Sequence, residues 1–437
     1  MKIYYNFCKY YQYIIKKKQM FILINNKLVY SYDNSWDLFK KIRKFIDEEE
    51  IKVITGLRRS GKTYFLKQII NELKENGIND SNIIYLPLES AKYDKIKTHE
   101  DLNNFIFNET QNVEGKIYLF FDEIQLIKDW QKSINAYRID LDADIYITGS
   151  NSEILSGELA TLLSGRYIKI EMFPFSFNEI LEYHKMKNVQ ITSNDEIKIF
   201  NEYMKYGGLP RTLNFNEEEK IDYLTDIFST IVLKDIISRN NIRDVVFLER
   251  LIKFIIVNTG EIFSVNSIRN FLKHEGISVS TNTISNYLKQ IEDAYIIIKS
   301  KREEIKTKKI LTTNEKYYCI DPGFYEIQTG FNKSRGKILE NIVFLELLRR
   351  NYKITIGNID GLEVDFVCQK PNKTIYVQVS ESILDEATRN REFRSLEKIN
   401  DNYLKYVVTL DNWDYSKNGI HHMNIIDFLK DTNIWKM

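Results

Sequence analysis

Apolar and polar positions change their rhythm along the chain. Through roughly the first 175 residues, short unbroken apolar runs alternate with segments of helical period. The runs Lys52–Thr55, Asn82–Leu88, Ile117–Asp122, Asp144–Gly149 and Tyr167–Ile170 have the length of strands buried on both faces. An amphipathic helix over Trp36–Ile46 leads into the first run, and Phe65, Leu66, Ile69, Ile70 and Leu73 recur at helical spacing after it. Regular alternation of this kind predicts a doubly wound α/β layer. After Phe173-Pro174-Phe175-Ser176-Phe177 the pattern is helical to about Asn241. Residues 245 to 320 then give three helices: one on Phe247, Leu251, Phe254 and Ile255; one capped by Ser264 with Ile268, Phe271 and Leu272 inward; one capped by Ser280 with Ile284, Leu288 and Ile291 inward. A strand over Tyr295–Ile298, a charged hairpin and a return strand near Tyr317–Ile320 complete that segment. The last hundred or so residues open with a helix containing Glu340 and continue in strands around Tyr352–Ile356, Glu363–Val367 and Ile375–Ser380.

The chemistry gathers at the first strand. Residues Lys52 to Thr63 fit G-x-x-x-x-G-K-[ST] at every fixed position. A triphosphate needs a concave ring of backbone N–H donors, a mobile cation and a hydroxyl for magnesium. Gly56 and Gly61 let the loop turn and approach phosphate, with Arg58, Arg59 and Ser60 between them. Lys62 would reach the β- and γ-phosphates and Thr63 would ligate Mg, so ATP and Mg are the expected cofactors. The following helix points its positive end at the anion. The run Ile117–Asp122 ends in Asp122-Glu123, where the aspartate would hold magnesium and the glutamate would polarise the attacking water. At the tip of the next strand, Ser150 or Asn151 would hydrogen-bond the water or the γ-phosphate, or make an ordinary polar turn. Arg166 would reach a neighbouring subunit's γ-phosphate, sense nucleotide within its own chain, or form a surface ion pair.

Strand, glycine loop, strand, Asp-Glu strand, Thr-Gly-Ser strand and a Gly-Arg element together resemble an AAA+ ATPase core over about residues 30–175. The resemblance implies five parallel strands. It also places Gly208 and Pro210 of Tyr206-Gly207-Gly208-Leu209-Pro210-Arg211 over the adenine, with Arg211 as a second sensor. Three helices and a two-stranded ribbon over 244–330 make a winged helix, whose third helix turns Asn282, Ser285, Asn286 and Lys289 outward for base edges. Lys299 to Lys316 holds seven basic and three acidic residues, a local +4 that would complement phosphate through Lys306, Lys308 and Lys309. The same module also serves for domain packing alone.

In the tail, Glu340 on a helix, Asp365 on one strand and Gln378 on the next resemble the PD-(D/E)xK nucleases, in which two carboxylates hold Mg and a lysine orients water. Ser380 stands where that lysine is expected, and Gln378 puts a neutral ligand where a charged one would bind metal better. The tail therefore reads as a degenerate nuclease fold. The whole arrangement resembles a group of prokaryotic AAA+ proteins with a winged helix and a restriction-endonuclease-like tail of unknown function. The expected fold class is α/β: a P-loop AAA+ parallel-sheet core over 27–175, a helical lid over 176–243, a winged helix over 244–330 and a C-terminal α/β PD-(D/E)xK-like domain over 331–437, preceded by an arm over 1–26.

Bulk properties narrow the remaining choices. The 437 residues suffice for about three domains. Lys and Arg total 62 against 61 Asp and Glu, a net charge of +1, so any nucleic-acid contact must be local. Cys8, Cys319 and Cys368 lie far apart with no C-x-x-C, which points away from a disulfide framework or zinc site and towards a reducing compartment. No apolar run reaches the roughly 18 residues of a membrane span, so no membrane contact and a cytoplasmic location are expected. The tyrosine-rich first 26 residues lack the cleavage site of a signal peptide, with Met20 an alternative start. Three functions fit: an ATPase whose nucleotide state controls association with double-stranded DNA; a nucleotide-gated switch on a protein partner with little turnover; and an ATP-controlled metal-dependent nuclease, disfavoured by Ser380. A homo-oligomer suits an arginine supplied between subunits.

Overall fold

A computed structural model describes residues 21–24, 27–31, 35–155, 163, 165–187, 190–330 and 335–431. Most of the arm expected over 1–26 lies outside these residues, but its end forms strand β1 (Phe21–Ile24), antiparallel to β2 (Lys27–Ser31). The chain divides into two compact units. The first runs to Pro174 and includes Asp293–Tyr295, and the second holds Phe175–Glu292 and Ile296 onward.

The first unit is built on five parallel strands: β3 (Ile51–Gly56), β4 (Ile83–Pro87), β5 (Ile117–Asp122), β6 (Ala143–Gly149) and β7 (Tyr167–Met172), in the spatial order β4-β5-β6-β3-β7. Side chains alternate across each strand, so every apolar run feeds two cores. Val53, Leu119, Phe121 and Ile147 pack with Leu102 and Ile106 of one helix (His99–Thr110) and Trp130, Ile134 and Tyr137 of another (Trp130–Asp140). Ile54, Tyr118, Phe120 and Tyr146 pack on the opposite face with Phe39 and Ile42 of α1 (Ser35–Arg43) and Phe65, Leu66 and Ile69 of α2 (Lys62–Glu75). Burial on both faces is why these strands are continuous in the apolar pattern. Near the starts of β3 and β6, Lys52 and Asp144 form an ion pair at 2.6 Å with both side chains wholly buried.

The second unit starts with capped helices. Thr192 with Asp195 and Asn216 with Glu219 close capping boxes on the helices Ser193–Tyr206 and Glu217–Thr230. Ser264 caps Val265–His274, and the hydroxyl of Ser280 accepts from Thr283 N at the start of Thr281–Asp293, as the sequence suggests. The expected ribbon is present as β9 (Ile297–Glu304) and β10 (Lys309–Cys319), but it is not free-standing. Strand β9 also pairs in parallel with β11 (Lys353–Ile359), which continues through β12 (Leu362–Lys370), β13 (Lys373–Val379), β14 (Leu404–Thr409) and β15 (Ile420–Asn424). With β8 (Ile262–Phe263) on β10 this makes one eight-stranded sheet, and the boundary expected at 330/331 cuts across it. The strand expected from Tyr295 starts two residues later, because Tyr295 has a left-handed φ of 57° and no strand continues through that turn. Among the described residues no helix is long and apolar enough to cross a membrane. Cys319 and Cys368 are buried and unbridged.

Candidate functional site

The loop between β3 and α2 takes its shape from its two glycines. Gly56 has φ 142°, and a Cβ there would fall 2.1 Å from the carbonyl oxygen of Met172, so only glycine fits beside β7. Gly61 has φ 110° and turns the chain into α2, whose first residue is Lys62. The early N–H groups of a helix have no partner inside it, which makes this end receptive to an anion. The hydroxyl of Ser60 is buried in the same loop and has no hydrogen-bond partner among the described residues. Lys62 folds over the loop and donates to the carbonyls of Gly56 at 3.0 Å and Leu57 at 3.1 Å, with Glu123 4.0 Å away. Thr63 is half-buried on the first turn of α2, Arg58 lies 3.7 Å from Glu89, and Arg59 is exposed with φ 67°. A triphosphate fits this donor set: a turned loop, an unused hydroxyl, a helix N-terminus and a lysine on a flexible stem.

Asp122 closes β5 and is nearly buried. One carboxylate oxygen accepts from the Thr148 hydroxyl at 2.6 Å and the other from the Tyr85 hydroxyl at 3.2 Å. Thr148 sits on β6 and also accepts from the backbone N–H of Glu123 at 2.9 Å, so one hydroxyl fixes both acidic residues. Burial and the Asp122 carboxylate push the Tyr85 phenol well above its ordinary range, keeping it a donor. Glu123 is in the left-handed region at φ 59°, which directs the chain away from the strand. Its carboxylate takes a hydrogen bond from the Gln125 amide. Burial would raise the Glu123 pKa, but Lys62, Gln125 and Arg58 outweigh it and hold the carboxyl below its usual value.

The motif residues Gly56, Ser60, Lys62, Thr63, Asp122 and Glu123 thus share one end of the parallel sheet. Ser150 and Asn151 are buried just beyond β6. Arg166 is exposed, and its carbonyl accepts from Ile51 N at 2.9 Å, setting β7 beside β3. Tyr85 and Gln125 belong to no motif, and Thr148 enters the sequence pattern only within the Thr-Gly-Ser strand, without the bridging role it has here. Thr148 carried one signal, a hydroxyl near the end of an otherwise apolar run.

The other expected site residues lie in the second unit. The glycines before Pro210 have a structural explanation there. Gly208 N donates to Asp321 at 2.8 Å, Gly208 O accepts from Phe175 N at 2.7 Å, and a Cβ would fall 2.1 Å from the Phe175 carbonyl. Asn282, Ser285, Asn286 and Lys289 all lie exposed on Thr281–Asp293. Lys306 pairs with Asp360 at 2.6 Å, while Lys308 and Lys309 are exposed at the hairpin turn. Glu340, Asp365 and Gln378 stand on a helix (Arg335–Arg349), β12 and β13, in the expected order. Ser380 is turned to other work: its N–H donates to Val408 O and its hydroxyl to Ser382 O.

The sequence matches the AAA domain family over residues 48–181 and a domain of unknown function, DUF8612, over 197–335. It is 39% identical over 392 residues to an "Uncharacterized protein" of Haemophilus influenzae, covering 89% of this chain and 96% of that one. It is 35% identical over 358 residues to "Uncharacterized protein MJ1544" of Methanocaldococcus jannaschii, covering 80% and 78%. Among solved structures it is similar to the Walker-type ATPase PABY2304 of Pyrococcus abyssi, at 14% identity and TM-score 0.48, over 67% of this chain and 95% of that one. The chain therefore belongs to one family with the Haemophilus and Methanocaldococcus proteins, and its first unit carries an AAA-type P-loop ATPase domain.

Proposed function

We propose that the chain binds ATP with magnesium at this site, hydrolyses it, and uses its nucleotide state to control association with duplex DNA. The supporting observation is the Thr148 hydroxyl, which holds Asp122 and the backbone of Glu123 together beside the loop carrying Lys62. Lys62 would exchange its loop carbonyls for the β- and γ-phosphates, and Ser60 would give its unused hydroxyl to the same anion. Thr63 and Asp122 would hold magnesium, which supplies neutralising charge at the phosphates. Glu123, kept ionised by Lys62, would orient the attacking water and take its proton. Asn151 would sense the γ-phosphate from the end of β6, and exposed Arg166 could be supplied to a neighbouring subunit.

A second reading, a nucleotide-gated switch on a protein partner with little turnover, draws support from the Glu123 carboxylate being engaged by Gln125 and close to Lys62. Steady-state ATP turnover with and without duplex DNA, beside Glu123→Gln, separates the two. DNA-stimulated turnover that disappears in the variant is expected. ATP binding without turnover would favour the switch, and turnover equal in parent and Glu123→Gln would remove Glu123 as the base.

A further inference from the structure

The carboxylate cluster of the second unit contains a residue that no motif assigned to it. Lys316 lies on β10, and its ammonium is 2.9 Å from Glu340 on the helix Arg335–Arg349 and 2.6 Å from Glu363 on β12. Its side chain is 3% exposed, so these are interior contacts. Two residues along the same face of β10, the Tyr318 hydroxyl donates to Glu340 at 2.8 Å. Burial would depress the Lys316 pKa, but Glu340, Asp365 and Glu363 outweigh it and hold the ammonium well above its ordinary range.

The neighbouring groups are already committed to one another. Asp365 is buried and accepts from Val379 N at 2.7 Å, and its N–H donates to Gln378 Oε1 at 3.3 Å. The other end of that amide donates to Glu392 at 2.9 Å. Burial and the Glu340 charge push the Asp365 carboxyl strongly upward, against the opposing pull of Lys316 and the Val379 N–H. Among the described residues, no three His, Cys, Asp or Glu are disposed to hold a metal ion. The set therefore does not fit the magnesium that a PD-(D/E)xK resemblance implies. A divalent ion placed here would also lie against a desolvated ammonium, where like charges repel strongly.

We propose that Lys316 is the resident cation of this cluster: its ammonium takes the place of a divalent ion among Glu340, Glu363 and Asp365, ties β10 to the helix and to β12, and leaves the tail independent of metal. Removing that charge leaves Glu340 and Glu363 without their counter-ion, a role that a divalent cation can then fill through these two carboxylates.

The test uses the full-length, nucleotide-free protein with MnCl2 as the probe. Lys316→Met keeps most of the side-chain stem and removes the charge, while the nucleotide site is the same in parent and variant. The parent should show no MnCl2-dependent rise in melting temperature. The variant should melt lower, recover at least half of the loss in MnCl2, and bind one additional Mn2+ by calorimetry. The double variant Lys316→Met, Glu340→Gln should lose that recovery. If Lys316→Met does not accumulate as folded protein, recovery of folded material on expression in Mn-supplemented medium supports the proposal, and failure of that recovery overturns it. Three other results overturn it: Mn2+ binding by the parent that Asp365→Asn abolishes, Mn2+-dependent nicking of supercoiled plasmid that Asp365→Asn abolishes, or a Lys316→Met melting temperature equal to the parent's.

Discussion

Thr148→Val removes one oxygen and two hydrogen bonds from the middle of the nucleotide site. The side chain is completely buried, donates to Asp122 at 2.6 Å and accepts from Glu123 N at 2.9 Å. A hydrogen bond to a charged acceptor contributes about 1.5–3 kcal/mol, and a buried N–H left without a partner costs about 1–3 kcal/mol. Partial relaxation and water entry keep these losses from adding fully, so about 3 kcal/mol of destabilisation is expected in the first unit. For a unit of its size that is a fall of roughly 6–12 °C in melting temperature. The consequence for chemistry is larger than for folding, because among the described residues the Asp122 carboxylate retains the longer Tyr85 contact alone and Glu123 loses the anchor of its backbone. Urea unfolding and steady-state ATP turnover on the parent, Thr148→Val and Thr148→Ser check both effects. Thr148→Ser keeps the hydroxyl and should retain most of the turnover, while Thr148→Val should lose at least tenfold, or about 1.4 kcal/mol at the transition state. A valine variant as stable and as active as the parent would refute the bridging role.

Two further perturbations test the framework. Asp144→Ala removes the counter-charge of wholly buried Lys52, which keeps its bond to the Glu48 carbonyl, and should cost about 3–5 kcal/mol in urea unfolding, with the double change Lys52→Met, Asp144→Leu recovering only part of it because Asp47 N and the Tyr146 hydroxyl also lose Asp144 as acceptor; a single-variant loss under about 1 kcal/mol would mean that water already reaches the pair. Asp321, fully buried and accepting from Gly208 N and Gly323 N, has its carboxyl pushed up to about 7 by burial despite those donors and Arg349. An acid whose pKa rises on folding binds its proton more tightly in the native state. Its contribution is therefore complete below about pH 4 and fades as pH rises to about 7, a loss of about 4 kcal/mol. Asp321→Asn should flatten that slope in urea unfolding followed across this range, and an unchanged slope would assign it to other groups.

What could be read beforehand follows from how each feature is encoded. Strands β3, β5 and β6 are buried on both faces, so their apolar runs are continuous, and the phosphate loop is local in sequence with two glycines that geometry demands. Thr148, Tyr85 and Lys316 act through partners on other strands or helices, and no spacing rule connects them. Lys316 meets Glu340 across 24 residues that include the helix Pro322–Thr329, whereas the position two after Gln378 is Ser380. The β9–β11 pairing was equally hidden. Alternation identifies strands but does not say which edges join. Tyr295 hid for a different reason: an aromatic beside an Ile-rich run reads as strand, yet its positive φ ends the helix–strand turn, and its hydroxyl donates to Thr55 on β3 at 2.8 Å.

The joined sheet changes which surface the proposed DNA association would use. In the sequence, the segment Lys299 to Lys316 looks like a basic wing, but its charges have different fates. Lys316 is internal, Lys306 is paired with Asp360, and Lys299 lies 3.7 Å from Glu315. Strand β9 has partners on both sides, so the ribbon has no open edge there. Lys301 on β9 and Lys308 and Lys309 at the turn remain exposed, and three cations make only a modest phosphate field. Asn282, Ser285, Asn286 and Lys289, by contrast, form an exposed polar face on a helix whose apolar side is anchored by Ile284, Leu288 and Ile291. Contact with duplex would then rest on hydrogen bonds from that helix more than on charge from the hairpin. Few phosphates would be neutralised, and affinity would change only shallowly with salt.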